Sequence, residues 1–335
     1  MTSVQEPMNR PLDLIGVGEC MVELSTATTV GDAAAFDVGY GGDVMNTLVM
    51  AAKLGAKVGY VSKVGNDAFG PRLMADWRRH GIDLRSCRMV PGQNGLYIIS
   101  SLPDGTHEFW YYRNGSAAST LAADDVDAAY VQSARALLIS GITQAISASA
   151  QAATLRAASL AHATGTMVFY DPNVRMKLWA ERSAHDATGR SALELARNAV
   201  HEIMPVVDYV LPSHPSDAIA VLGDVKRPSP DLHAQAYADL GCALVGMKLG
   251  AAGSRVYRNG AGISEAAPQA TRLRDSTGAG DAWNAAFIWH TLNGAGAQTA
   301  ARYANAIATW KVQFRGAIPA AVPGSDLVRA SIAHE

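Results

Sequence analysis

What this chain lacks narrows it first. Its 335 residues include three cysteines, Cys20, Cys87 and Cys242, widely separated and without a CxxC pair, so neither a disulfide framework nor a cysteine-built zinc site is expected. Nine histidines form no HExxH arrangement, which leaves no sign of a protein-built metal cage. The formal net charge is only −2, giving no electrostatic case for nucleic acid or an acidic membrane surface. No stretch of about 18 residues runs apolar without polar interruption, so no membrane span is expected. Met1 to Asp13 lacks the apolar run of a signal peptide, and a cytoplasmic enzyme is the expected class. A Walker A loop is missing too: Gly241 to Gly246 comes nearest, but Met247 precedes Lys248 and the stretch reads as a strand. Gly16-x-Gly18 has Met21 where a third glycine would be needed, so the dinucleotide fingerprint fails and hydride transfer with it.

Turning to what is there, hydrophobic residues make up 49% and charged residues 17%, enough for a sizeable core and against disorder. Candidate strands at Leu12 to Gly18, Val58 to Val64, Ala136 to Ser140, Met167 to Asp171, Tyr209 to Leu211 and Ala243 to Lys248 mostly alternate with helical patterns. Those run near Val44 to Leu54, Ala148 to Ala163, Leu193 to Met204 and Leu232 to Leu240. Such alternation predicts right-handed βαβ units and an α/β fold with a mostly parallel sheet covered on both faces. Ligands then bind beyond the carboxyl ends of the strands, where Gly141-Ile142-Thr143 and Asp171 to Arg175 place polar groups. No repeat or linker divides residues 1–335, so one domain is expected. The texture changes at Gly95. Leu96 to Ser100, an Asp104-Gly105 turn and His107 to Arg113 read as paired, aromatic-rich strands. They form either an aromatic core face or a small sheet, about 19–40 with 93–116, that closes over a ligand as a lid.

Two glycine-led stretches carry candidate chemistry. Arg274 to Trp283 reads as a turn opening a helix, where Gly278 and Gly280 free the backbone. The amides of Ala279, Gly280 and Asp281 would then form an anion cradle at the helix start. Asp281 adds a carboxylate able to accept a hydroxyl proton beside it, a minimal phosphotransferase centre. The plainer reading is a capped helix. Gly39 to Asn46 likewise leads into a helix, with Asp43 and Asn46 on its first turn, and capping and ligand binding weigh equally there.

The string Asp275-Ser276-Thr277-Gly278-Ala279-Gly280-Asp281-Ala282-Trp283 resembles the C-terminal signature of the ribokinase-like (PfkB) sugar kinases. Gly41-Gly42-x-x-x-Asn46 is similar to their N-terminal signature, and Lys248-Leu249-Gly250-x-x-Gly253 to their nucleotide-edge motif. The resemblance implies a three-layer α/β/α sandwich with a β-sheet lid, and ATP and Mg²⁺ as cofactors. It also implies a place for K⁺ at backbone oxygens near Asp275 and Thr277, and self-association through the lid. Asp281 would be the base and the backbone of Gly278, Ala279, Gly280 and Asp281 the anion hole. Gly42, Asp43 and Asn46 would meet the sugar, and Lys248, Gly250 and Gly253 the nucleotide. Asn305, in a last helix from Gln298 to Phe314, would flank the adenine.

Within that family the likeness is greatest to the 2-keto-3-deoxygluconate kinases, carried by Gly18 to Ser25, Gly95-Leu96-Tyr97, Phe109 to Asn114, Ser140 to Thr143 and Asp171-x-Asn173-x-Arg175. It implies that Gly42, Tyr97, Tyr111, Arg113 and Arg175 meet a sugar acid. A neutral hexose does not need two guanidinium groups, whereas a substrate carboxylate accepts the planar donor fork of Arg. Kinases of fructose, another ketose or a nucleoside, and a sensor that lost turnover, are the alternatives. One departure stands out: the usual Asn-x-x-Glu is replaced by Ser213-His214-Pro215-Ser216-Asp217. Asp217 is then the expected Mg²⁺ residue, with Ser216 there in another register, and Mg²⁺ can lean on waters and substrate phosphates.

Overall fold

The computed structural model describes residues 10–101 and 107–324. Among them the strands are β1 (Leu12–Val17), β2 (Met21–Thr26), β3 (Asp37–Gly41), β4 (Val58–Gly65), β5 (Cys87–Val90), β6 (Leu96–Ser101), β7 (His107–Tyr112), β8 (Ala134–Ser140), β9 (Met167–Asp171), β10 (Tyr209–Val210), β11 (Leu244–Lys248), β12 (Ser254–Arg258) and β13 (Ala261–Glu265). The central strands are apolar on both sides, and their period of two divides the core. Ile15, Val17, Leu137, Ile139, Val168 and Tyr170 pack on one face, with the helices Ala148–Ala163 and Ala192–Ile203. Leu14, Leu138 and Phe169 pack on the other, against the helices Asp43–Lys53, Ala279–Leu292 and Ala297–Lys311. Helix starts follow local chemistry. Ser191 and Glu194 exchange side-chain-to-amide bonds at 3.2 and 2.8 Å, a capping box that opens the Ala192–Ile203 helix.

The large sheet has the order β13-β12-β11-β10-β9-β8-β1-β4-β5. All neighbours from β11 to β5 are parallel, and the β12–β13 hairpin adds an antiparallel edge that the helix–strand alternation did not anticipate. The chain runs from β1 to β4 on one side and later to β8 on the other. That reversal opens a crevice beyond the carboxyl ends of β1 and β8, where ligands of such sheets bind.

A second sheet, β3-β2-β6-β7, stands over this crevice. Its outer pairs are antiparallel, but β2 and β6 run parallel, because β2 follows β1 directly and β6 arrives from the far edge of the large sheet. It holds a small core of its own, Met21, Tyr97 and Ile99, with Phe109 packed against them. The expected Asp104-Gly105 turn lies outside the described residues. The last helix stops at Lys311 rather than Phe314. The Val312 carbonyl is drawn aside to accept the Arg274 and Asp275 amides at 2.8 and 3.1 Å. Among the described residues no helix is long and apolar enough to cross a membrane.

Candidate active site

The glycine turn before the Ala279–Leu292 helix sits at the crevice. Asp275 folds it back, its carboxylate accepting the Thr277 and Gly316 amides at 2.8 Å each. Gly278 then takes φ +74°, a left-handed conformation costing a residue with a Cβ roughly 1–2 kcal/mol. A Cβ there would also lie 2.8 Å from the Ala317 carbonyl oxygen. Among the described residues the Gly280 and Asp281 amides meet no protein acceptor. The Ala279 amide departs from expectation: it bonds the Ser276 carbonyl at 3.1 Å, because the turn closes on itself before the helix begins. The cradle is therefore two amides, with Gly278 as its bend.

The half-buried Asp281 stands beside them, its Oδ2 accepting the Asn46 Nδ2 amide at 2.8 Å. Burial, and then the charge of Asp43, push its carboxyl up to about 7 against the pull of the Asn46 hydrogen bond. A base balanced near neutral pH is suited to taking a hydroxyl proton. Asn46 and Asp43 share the first turn of the Asp43–Lys53 helix, which begins where it does because of Gly42: a Cβ on Gly42 would meet the Glu19 carbonyl oxygen at 2.2 Å. Asp43 is more than a cap. Besides the Val44 amide at 2.9 Å and Asn173 Nδ2 at 2.8 Å it accepts the Ser140 hydroxyl, and burial raises its carboxyl. At the end of β11, Lys248 Nζ donates to Asp171 Oδ2 at 2.7 Å and Asn284 Oδ1 at 3.1 Å; Asn284 closes the triangle on Asp171 at 2.6 Å. The ammonium lies 3.9 Å from where a Cβ on Gly280 would be, so a fixed positive charge borders the amide cradle.

The lid supplies the opposite wall. Tyr97 donates its hydroxyl to Glu23, while Tyr111 lies 43% exposed beside it with ring centroids 6.0 Å apart. Arg113 lies over the Tyr111 ring at 4.9 Å and has its Nη1 3.1 Å from Glu19 Oε2. That ion pair is close without hydrogen-bond alignment, since Arg113 Nε and Nη1 are buried with no acceptor among the described residues. Burial raises the Tyr111 phenol, and the charges of Arg113 and Arg175 oppose that, so both guanidiniums stand near it. Arg175 itself is exposed, at the start of the Met176–Ser183 helix.

A cavity of about 490 Å³ brings these groups together: Gly42, Asp43, Asn46, Tyr97, Tyr111, Arg113, Arg175, Lys248, Gly278, Gly280 and Asp281 all line it. Other expected site residues lie outside its walls. Asn305 is buried and spent, accepting Trp283 Nε1 at 2.9 Å and donating to the Glu265 carbonyl at 2.8 Å, so it braces two helices instead of presenting an amide to a ligand. Gly250 and Gly253 shape the β11–β12 turn, each at positive φ. Asp217 is fully buried, its two oxygens accepting the Val174 and Ser213 amides at 2.7 Å each, while burial and the charge of Asp171 raise its carboxyl. Both oxygens being so engaged, the metal expectation for Asp217 finds no support in its surroundings. Ser216, its alternative, donates to the Ser213 carbonyl at 3.2 Å. Among the described residues no three acidic, histidine or cysteine side chains converge on a point that could hold a metal.

Glu19, Asp171 and Asn173 also line the cavity, and sequence reasoning gave them no role. Asp171 and Asn173 fall in a strand-end run that did signal a site. Their pairing with Lys248 and Asp43 joins positions 77 and 130 residues apart, which no local pattern encodes.

The chain is similar to known proteins over most of its length. The sequence profile of the pfkB family carbohydrate kinase matches residues 12–323. The chain is 30% identical to a 2-dehydro-3-deoxygluconokinase of Thermoproteus tenax, covering 97% of each chain. It is 28% identical to a 5-dehydro-2-deoxygluconokinase of Clostridium perfringens, covering 88% of this chain and 85% of that one. A structure of a putative Ribokinase II from E. coli in complex with ATP and Mg²⁺ superposes with a TM-score of 0.82 at 22% identity, over 97% of this chain and 100% of the other. The expected fold is thus the observed one, a ribokinase-like α/β sheet with a smaller sheet beside it, and the chain belongs to the pfkB family of ATP-dependent carbohydrate kinases.

Proposed function

We propose that the cavity takes a keto-deoxy sugar acid, 2-keto-3-deoxy-D-gluconate foremost, and that the kinase phosphorylates its terminal hydroxyl. The observation carrying this reading is the lid wall: Arg113 is buried with two nitrogens lacking aligned acceptors, and Arg175 faces the same tyrosine. Glu19 balances the charge of Arg113 but leaves those two nitrogens without an aligned acceptor, which a second carboxylate can supply. A substrate carboxylate at the lid then leaves the far end of the sugar chain toward Asp281. There the hydroxyl gives its proton to the Asp281 carboxylate as its oxygen bonds the γ-phosphorus of ATP, and the bond to the β-phosphate oxygen breaks to release ADP. The Gly280 and Asp281 amides and the Lys248 ammonium face the charge on the transferring group. Mg²⁺ neutralises phosphate charge when it comes with ATP; among the described residues no side chains form a cage for it, and an ion carried by the phosphates needs none. Lid closure keeps water from the phosphoryl group. Tyr112, 59% exposed on the lid, supports pairing of two copies there.

The test is ADP release with ATP and a panel of 2-keto-3-deoxy-D-gluconate, 5-dehydro-2-deoxy-D-gluconate, fructose and adenosine. The acids should turn over and the neutral compounds should not. Arg175→Met should lower kcat/KM for the acid by about 30-fold or more, as expected when one partner of a desolvated charged pair is truncated. Its effect on a neutral analogue should be small. Equal losses on both would place Arg175 with the nucleotide or the fold, and turnover of fructose alone would replace the sugar-acid reading by a ketose kinase.

A further inference from the structure

Lys311 is among the largest side chains in the protein with no exposure at all, a rare place for an ammonium unless something nearby needs its charge. It ends the Ala297–Lys311 helix, where free carbonyls favour a cation. Its Nζ donates to the backbone carbonyl of Asp275 at 3.0 Å. That carbonyl belongs to the clasp described above, in which Asp275 holds the amides of Thr277 and Gly316 and Val312 holds those of Arg274 and Asp275. Burial lowers the ammonium's affinity for its proton, and the charges of Asp275, Asp281 and Glu23 offset only part of that. The backbone oxygens around Asp275 are where the family resemblance would place K⁺. In this chain one of them already faces a positive charge, so a second cation there would meet repulsion across a few ångströms of protein.

We propose that Lys311 is a positioning residue that serves as a tethered internal cation. Its ammonium fixes the Asp275–Asp281 turn, and the kinase therefore needs no monovalent ion. This rests on the phosphoryl-transfer role of the turn and not on which sugar is bound. The experiment measures turnover with the best substrate of the panel above, in a tetramethylammonium buffer and with added KCl or ammonium chloride. Wild type should run equally in all three. Lys311→Ala should lose about a hundredfold in kcat in tetramethylammonium, the scale of an ångström-sized misplacement of a catalytic group. K⁺ or ammonium should restore much of that, with the KM for sugar little changed. Lys311→Met, which keeps the space filled, should lose as much and recover nothing. A wild type strongly activated by K⁺ would overturn the proposal, as would variants that keep their turnover or a Lys311→Ala whose loss is identical in every salt. Should the variants not fold, the salt independence of the wild type still decides. Failure of the sugar-acid reading would appear in the panel itself, before any salt is varied.

Discussion

Replacing Asp281 by Asn tests the catalytic assignment through activity and stability at once. Loss of a general base costs about 10²–10⁴ in rate, and Asn keeps the shape and a partner for Asn46. The folded carboxyl is raised from 3.8 to about 7. At about 1.4 kcal/mol per pKa unit, holding it charged costs roughly 4 kcal/mol of fold stability. Solvent in the open cavity screens this, and about half, ~2 kcal/mol, is a fair expectation. The sign follows from the raised value: the protonated form suits the fold, so stability is lost as pH rises from about 4 and the loss is complete above about 7. Asn carries no such penalty. In urea titrations the variant should therefore exceed the wild type by ~2 kcal/mol near pH 8 and by much less near pH 4.5. In an ADP-release assay the wild-type kcat/KM should rise through an acid limb near pH 7, and the variant should fall by about a hundredfold or more. A variant with more than about a tenth of wild-type kcat, or one whose stability advantage is the same at both pH values, would refute the reasoning.

Gly278→Ala should lose roughly 2 kcal/mol or more in urea, from the left-handed backbone and the approach to Ala317, and should lose turnover as the cradle shifts; an unchanged midpoint would mean the bend relaxes freely. Asp217→Asn should cost about 2–3 kcal/mol, because an amide cannot accept from both backbone N–H groups. It should leave the Mg²⁺ concentration for half-maximal rate unchanged, and a raised requirement in a folded variant would return Asp217 to the metal.

Where function depends on a contiguous run, the sequence alone determined it. The turn around Gly278, the helix start at Asp43 and the alternation of strands and helices are local, because backbone angles, capping and apolar period act over a few residues. The partner of the Ala279 amide, the end of the last helix and the partners of Asn305 and Asp217 emerge only in three dimensions. For three of these a partner distant in the chain claimed the polar group: the Val312 carbonyl turned to the Arg274 and Asp275 amides, Asn305 to Trp283 and Glu265, and Asp217 to the Val174 amide. For Ala279 the competitor was near, but which carbonyl closes a turn depends on how the clasp at Asp275 sets its angles. The same holds for Lys311, an unremarkable lysine at a helix end in the sequence. Only the folding of the glycine turn across that helix end seals its charge from water and gives it a carbonyl to hold.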